Sequence, residues 1–332
     1  MTVAERLKVR PVNVKARGSF WGRLFRHNRL ARAGAVLVSL FILVALLAPV
    51  LAPPQGNCRR ALGMTEMQTI PGPLAYLREV VATPDACLQM PRVGFAAQPN
   101  PPAADAPLGR VNGYDIRYGL VWGTRTAFFL GLTVLAITVT VGSLVGLAAG
   151  FLGGVTDNLL MRLTDVIFAF PALVLILVLV AALGPGLLNI IIALSLVSWA
   201  GLARVVRSEV LRLRELEFAA AAQSLGASRV RIALRHVLPN AIGPLLTIVV
   251  LEMGSLPIVA GSLSFLGLGT PLGYADWGQL IALAQKWIQG PPGQPFAYWY
   301  VTLFPGLCIF AYSLGWSLLG DSLAEALDPR NR

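Results

Sequence analysis

Six long apolar runs, separated by polar or charged stretches, constrain this chain more than any other feature. They cover residues 33–52, 127–152, 166–183, 187–203, 241–267 and 298–319. Most reach the ~20 residues that a helix needs to cross a bilayer core. Inside lipid each backbone polar group must find its partner within the protein, which leaves helices or closed barrels as the choices. Runs of this length predict an all-α integral membrane protein with six transmembrane helices. The balance of residue types agrees, with 56% hydrophobic and only 13% charged, where soluble domains carry about 25% charged. The fourth run is short and the fifth contains Glu252, so these two are the less regular spans. An even number of spans puts both termini on one side.

Charge sets the orientation. Residues 1–32 carry nine Lys/Arg against one acid, and the stretch from Arg204 to Asn240 carries seven against three. Both are expected in the cytoplasm by the positive-inside rule. Residues 54–126 hold seven arginines against five acids, but a loop this long translocates with little regard for charge. The first run follows a basic tail and ends in Ala52-Pro53-Pro54 without a clear cleavage site, so it is expected to be retained as a span. The net charge of +11 does not point to nucleic acid, because the arginines are spread over the flanks of spans.

These features divide the chain into a cytoplasmic tail (1–32), a first transmembrane helix (33–53), a large external loop (54–122), a five-helix core (123–320) that contains the charged 204–240 loop, and a cytoplasmic C-terminal tail (321–332). Phe20-Trp21-Gly22-Arg23-Leu24-Phe25-Arg26 places aromatic and basic residues before the first span and suggests an interfacial helix against membrane lipids. A disordered tail with aromatic anchors is the alternative. The external segment is rich in Pro, Gly and Ala, as in Gln98-Pro99-Asn100-Pro101-Pro102, and predicts little regular structure. It holds Cys58 and Cys87, which on this topology face the oxidising side, so a disulfide between them is expected, with two free thiols as the alternative. Cys308 lies in the last apolar run and suits packing.

Parts for catalysis are missing. The two histidines, His27 and His236, sit in unrelated settings, which offers no metal site. No Cys-x-x-Cys and no Gly-x-Ser-x-Gly occurs. None of the three lysines, Lys8, Lys15 and Lys286, follows a glycine, so the phosphate loop of an ATPase is absent. The chain is therefore expected to bind no cofactor and to be no enzyme. Glycines at 142, 146 and 150, and the pair Gly153-Gly154, read as positions where helices approach closely.

A membrane subunit without its own ATPase receives mechanical work through a contact surface, and a short helix can fill a groove on a partner. Ala219 to Ala222 supply a small, strongly helix-forming surface, Gly226 a bend, and the flanking arginines a hold on anionic headgroups. That is the composition of a coupling helix. Glu217-Phe218-Ala219-Ala220-Ala221-Ala222-Gln223-Ser224-Leu225-Gly226-Ala227-Ser228, followed by Arg235-His236-Val237-Leu238-Pro239-Asn240, resembles the Glu-Ala-Ala loop of bacterial ABC importer permeases, with the dipeptide/oligopeptide/nickel family closest. Before the loop, the resemblance continues in Gly150-Phe151-Leu152-Gly153-Gly154, Asp157, Met161-Arg162, Asp165 and Phe170-Pro171. After it come Leu263-Ser264-Phe265-Leu266-Gly267-Leu268-Gly269, Trp277-Gly278, Phe304-Pro305-Gly306, Leu319-Gly320-Asp321 and Ala326-Leu327-Asp328-Pro329-Arg330. Phe25-Arg26-His27-Asn28 and the Asp-Pro-Arg ending resemble the C-type subunit.

This resemblance implies a type I ABC importer permease fold and a heterodimer with a B-type permease. It further implies one or two cytoplasmic ATPase subunits that carry ATP and Mg, an extracytoplasmic substrate-binding protein, and a bacterial inner-membrane location. Peptides are the leading cargo, with nickel chelates or another small solute as the alternative. Glu217, Phe218, Ala221, Ala222, Ser224, Leu225, Gly226, Ala227 and Ser228 are the residues implied to couple to the ATPase. The chain departs from the family pattern at Ala220, where the motif's glutamate usually stands. It departs again at Gly109-Arg110-Val111-Asn112-Gly113-Tyr114-Asp115-Ile116, which keeps only the outline of a Gly-Thr-Asp-x-x-Gly-Arg-Asp-Val signature, and in an enlarged external segment from about 57 to 106.

Glu252 lies inside a span, where an ionisable group costs several kcal/mol unless paired or wet. It is expected either to line the translocation pathway or to pack against a neighbouring hydroxyl. An ATP-independent secondary transporter is the competing class. It usually shows internal repeats and intramembrane ion-binding acids, whereas here Glu252 is the one clear candidate.

Overall fold

The computed structural model describes residues 28–65, 68–94, 96, 98–214 and 238–327, with the backbone alone over 238–242. Five helices are long and apolar enough to cross a membrane, and a bent pair makes a sixth.

Helix α1 (Arg29–Leu46) starts four residues before its apolar run because Asn28 caps it, its side chain accepting from the Leu30 and Ala31 N–H groups. It breaks at Leu47, and the short α2 (Ala48–Leu51) follows with Pro49 in its first turn. The external segment then departs from expectation. In place of little regular structure it forms α3 (Gly56–Ala61), α4 (Pro73–Val81), a 3₁₀ turn at Asp85–Cys87 and a two-stranded hairpin, β1 (Arg110–Val111) with β2 (Tyr114–Asp115). Pro73 starts α4 at a position where its missing N–H costs nothing. Side chains of the second span hold the segment down: Tyr118 Oη donates to the Cys87 carbonyl at 2.9 Å, and Trp122 Nε1 to that of Ala52 at 3.0 Å.

Helix α5 (Ile116–Leu152) is capped by Asp115, so the helix begins seven residues before the 123–320 core was expected to start. Gly153 and Gly154 follow with φ of +67° and +56°. A Cβ at either would meet nothing within 4 Å, so this pair is a left-handed turn and not the helix contact expected of it. Only glycine adopts such φ values without strain.

The third apolar run is not one straight helix. It begins in the last residues of α6 (Gly154–Phe168) and continues as α7 (Ala172–Leu183), set at 84° to α6. Pro171 explains the break, since the residue before a proline is driven out of the helical region. Helix α8 (Leu187–Arg214) carries the fourth run, and it continues eleven residues past Ala203. The first part of the charged 204–240 stretch is therefore helix, with Val206, Val210 and Leu213 buried. Helix α9 (Leu238–Phe265) tolerates Pro244 and Pro257 in its interior, and α11 (Trp299–Leu327) reaches past residue 320, where a tail was expected to begin. Between them lies the short α10 (Trp277–Ala284).

Helices α5 and α8 run side by side and parallel. Added Cβ atoms at Gly142, Gly146 and Gly150 would stand 2.9 Å from Leu202 Cβ, 2.5 Å from the Ala203 oxygen and 2.9 Å from Val210 Cβ. These three glycines are contact positions, as small residues four apart predict. The aromatic core of the bundle joins Phe41, Phe128, Trp277 and Tyr312, with ring centroids 5.3–5.8 Å apart.

Candidate functional site

The sequence points first to the segment between α8 and α9. Glu217, Phe218, Ala221, Ala222, Ser224, Leu225, Gly226, Ala227 and Ser228 lie outside the described residues, as does His236. What the structure does describe is the base from which that segment leaves. Asp157 on α6 accepts a two-pronged pair from Arg207 on α8, at 2.5 and 2.6 Å. One turn earlier on α8, Arg204 donates to Asp165 at 2.6 Å and to the Thr164 hydroxyl at 3.1 Å. The same guanidinium lies 4.1 Å from the centroid of Phe168, a cation–π contact. Arg214, the last described residue of α8, donates to the Gly150 carbonyl at 2.9 Å, where α5 is about to end. Arginine suits these positions because its planar fork meets a carboxylate at two points.

The two acids and two arginines thus join α6 to the end of α8. Asp157 and Asp165 stood out in the sequence, but their partners did not. The signal was present in the spacing, since Arg204 and Arg207 lie on one face of a helix and the acids are eight residues apart on another.

Glu252 sits half-buried on α9. The Ser255 hydroxyl donates to its backbone carbonyl and not to its carboxylate. No hydrogen bond or ion pair reaches that carboxylate among the described residues, so the expected neighbouring hydroxyl is not among its contacts.

At the opposite end of the spans, Cys58 and Cys87 are bonded, with sulfurs 2.06 Å apart, and join α3 to the 3₁₀ turn across a separation of 29 residues. Beside them is an ion pair that the sequence did not reveal. Arg125 on α5, 9% exposed, pairs with Glu79 on α4, 1% exposed. Arg125 also donates to the Ala45 carbonyl at 2.6 Å, to that of Leu46 at 3.4 Å and to the Thr83 hydroxyl at 3.2 Å. One guanidinium therefore ties together the end of α1, the external helix α4 and the second span. Its position just before the start of the second apolar run was the available clue.

A second missed acid is Asp276, which caps α10. It accepts from Ser264, Thr270 and the Gln279 N–H at 3.0, 3.4 and 3.2 Å. Burial raises its carboxyl pKa above the usual range, while these hydrogen bonds pull the other way. The glycines around it make the packing possible, for a Cβ on Gly278 would lie 2.5 Å from the Gly261 Cα. The Leu263–Gly269 and Trp277-Gly278 motifs thus fold α10 onto α9. A cavity of about 1130 Å³ opens between the external segment and the bundle, walled by residues such as Leu46, Val81, Phe129, Ile191, Met253 and Trp316. Among the described residues no cluster of His, Cys, Asp and Glu has the arrangement of a metal site.

Known proteins give this geometry a context. A family model described as the inner membrane component of binding-protein-dependent transport systems matches residues 142–332. A second, described as the N-terminal TM domain of oligopeptide transport permease C, matches residues 19–62. The chain is 33% identical over 309 residues to a putative peptide transport system permease protein of Brucella abortus, covering 93% of this chain and 90% of that one. It is 30% identical over 309 residues to the oligopeptide transport system permease protein OppC of Bacillus subtilis, covering 93% and 88%. With the dipeptide transport system permease protein DppC of Alkalihalophilus pseudofirmus it shares 32% over 314 residues, covering 93% and 90%.

Proposed function

Because the chain belongs to the family of binding-protein-dependent transport system inner membrane components, we propose that it is the C-type permease subunit of an ATP-driven importer of peptides. The observation that carries the cargo is its likeness, over nine-tenths of its length, to permeases named for peptide, oligopeptide and dipeptide transport. In this reading a B-type permease completes the translocation pathway. One or two ATPase subunits hold ATP and Mg, and a binding protein delivers cargo from outside. The chain itself binds no cofactor.

The positive-inside rule supports N-in orientation in a bacterial inner membrane, with both termini and the 215–237 segment in the cytoplasm. That segment then receives the work of ATP hydrolysis. Glu217 to Ser228 dock on the ATPase, with the surface formed by small side chains, since Ala220 replaces the usual acid. The Arg204–Asp165 and Arg207–Asp157 pairs support this role because they tie the stem of the segment to α6. Copurification with the ATPase tests the docking. Gly226→Pro, or deletion of 217–228, is expected to abolish it while the permease still reaches the membrane. Retained assembly and substrate-stimulated ATP hydrolysis in both variants would defeat the idea.

Glu252, unpaired among the described residues, fits a place along the pathway where a peptide ammonium passes. Glu252→Gln is expected to lower uptake of cationic and free-amine peptides. Unchanged uptake of all cargo refutes that role.

A further inference from the structure

Helix α4 is turned inside out for a helix in water. Its one acid, Glu79, faces inward and is 1% exposed, while Leu74, Leu77 and Val81 face outward at 84%, 63% and 88%. Positions 74, 77 and 81 follow the i, i+3, i+7 spacing of a single helical face. The sequence did not single α4 out, and the function proposed above makes no use of it.

The covering of this stripe follows from where α4 is fastened. The Tyr76 hydroxyl donates to the carbonyl of Leu46, the last residue of α1. Arg125 holds Glu79 and, with the same guanidinium, the carbonyls of Ala45 and Leu46. The helix therefore lies at the level where the first span stops. There, Ile42, Leu43 and Leu46 of α1 are themselves 43%, 53% and 43% exposed. Val81 and Leu46 wall the same cavity, together with the exposed Phe129 and Leu132 of α5. The stripe is thus continuous with exposed apolar surface on the first two spans. Arg78 is exposed beside it, where a long cationic side chain can keep its head among lipid phosphates.

We infer that α4 is an interfacial helix which lays Leu74, Leu77 and Val81 into the lipid leaflet at that end of the spans. An apolar face set at the boundary of headgroups and acyl chains is the arrangement of such helices. The Arg125–Glu79 pair serves to hold it there, since the acid anchors the helix from the protein side and leaves Arg78 as the one charge on the outer side.

Spin labels read this directly. Leu77→Cys and Val81→Cys, each in a Cys308→Ala background with the Cys58–Cys87 bond intact, are labelled with a nitroxide. The purified transporter is then placed in vesicles of phosphatidylethanolamine and phosphatidylglycerol. Ala104→Cys, an exposed position of the same segment, is the water-facing control. Relaxation by molecular oxygen is expected to rise at 77 and 81 relative to 104, and relaxation by an aqueous nickel chelate to be lost. Chelate access equal to that at 104 overturns the inference, because the stripe then faces water. Loss of access to both reagents overturns it too, because protein, a second permease or a binding protein, then covers the stripe. Leu74→Cys gives the same three-way readout where a label at 77 or 81 disturbs assembly.

Discussion

Replacing Arg125 by Met tests the joint between the external segment and the bundle. The pair with Glu79 is almost wholly out of water, and Oε2 of Glu79 has no hydrogen-bond partner among the described residues. Met keeps the length of the aliphatic stem but removes every donor, so the carboxylate stays buried with no counter-charge. Breaking a buried ion pair from one side costs about 3–5 kcal/mol. Glu79→Gln is milder. It removes the charge but leaves an amide oxygen for Arg125, which retains the Ala45, Leu46 and Thr83 oxygens, and a loss of about 1.5–3 kcal/mol follows for a hydrogen bond to a charged group. In Arg125→Met/Glu79→Leu neither charge remains. The deficit is then the two carbonyls of α1, of which that of Leu46 keeps Tyr76, so the double variant should lose only about 1–2 kcal/mol. Equilibrium unfolding in mixed micelles, titrated with dodecyl sulfate and followed by helix signal, gives all three values and the coupling energy. A double variant as unstable as Arg125→Met refutes the reasoning, because uncompensated charge would then not be the source of the loss.

Four further outcomes are expected. Gly146→Ala forces a methyl to within 2.5 Å of the Ala203 oxygen and 2.6 Å of Val206 Cβ, and should cost about 1–3 kcal/mol in the same assay. Gly153→Ala, which meets open space, should lose about 1–3 kcal/mol from its backbone alone, since φ +67° with ψ −164° is a region essentially confined to glycine. Denatured, unreduced protein should show one alkylatable thiol by mass, Cys308, and three after reduction. Reduction should destabilise the fold by roughly 3–4 kcal/mol for a closed loop of 29 residues. For Asp276, burial raises the folded pKa, so as pH climbs from about 4 the unfolded chain ionises first. Stability is then fullest below that pH and falls until the folded carboxyl also ionises. Asp276→Asn should flatten this decline in unfolding midpoints measured across pH, and an equally steep decline in the variant counts against it.

Hydropathy located the spans well and their ends poorly, for a physical reason. A transfer scale reports how apolar a residue is and says little about where a helix stops. Pro171 was visible in the sequence, yet the run from 166 to 183 is apolar on both sides of it, so the 84° bend left no mark in the average. Conversely, the charges from 204 to 214 lower the mean and suggest a loop, while Val206, Val210 and Leu213 keep α8 on its helical face. Gly142, Gly146 and Gly150 were legible because a packing stripe is periodic. Gly153 and Gly154 were not, since a glycine's backbone angle cannot be read from its lack of a side chain. Glu79 meets Arg125 across 46 positions of sequence, and no local pattern encodes such a meeting.

The packing of α5 against α8 has a mechanical consequence. Val206 and Val210 rest in notches cut by Gly146 and Gly150, so neither helix slides past the other without first lifting out of its notches. The two therefore behave as one strut. Its α8 member, with 28 residues at 1.5 Å each, is about 42 Å long, more than the ~30 Å of a hydrocarbon core. A rod of that length cannot shorten. Pushed at its Arg214 end, such a rod tilts instead of compressing.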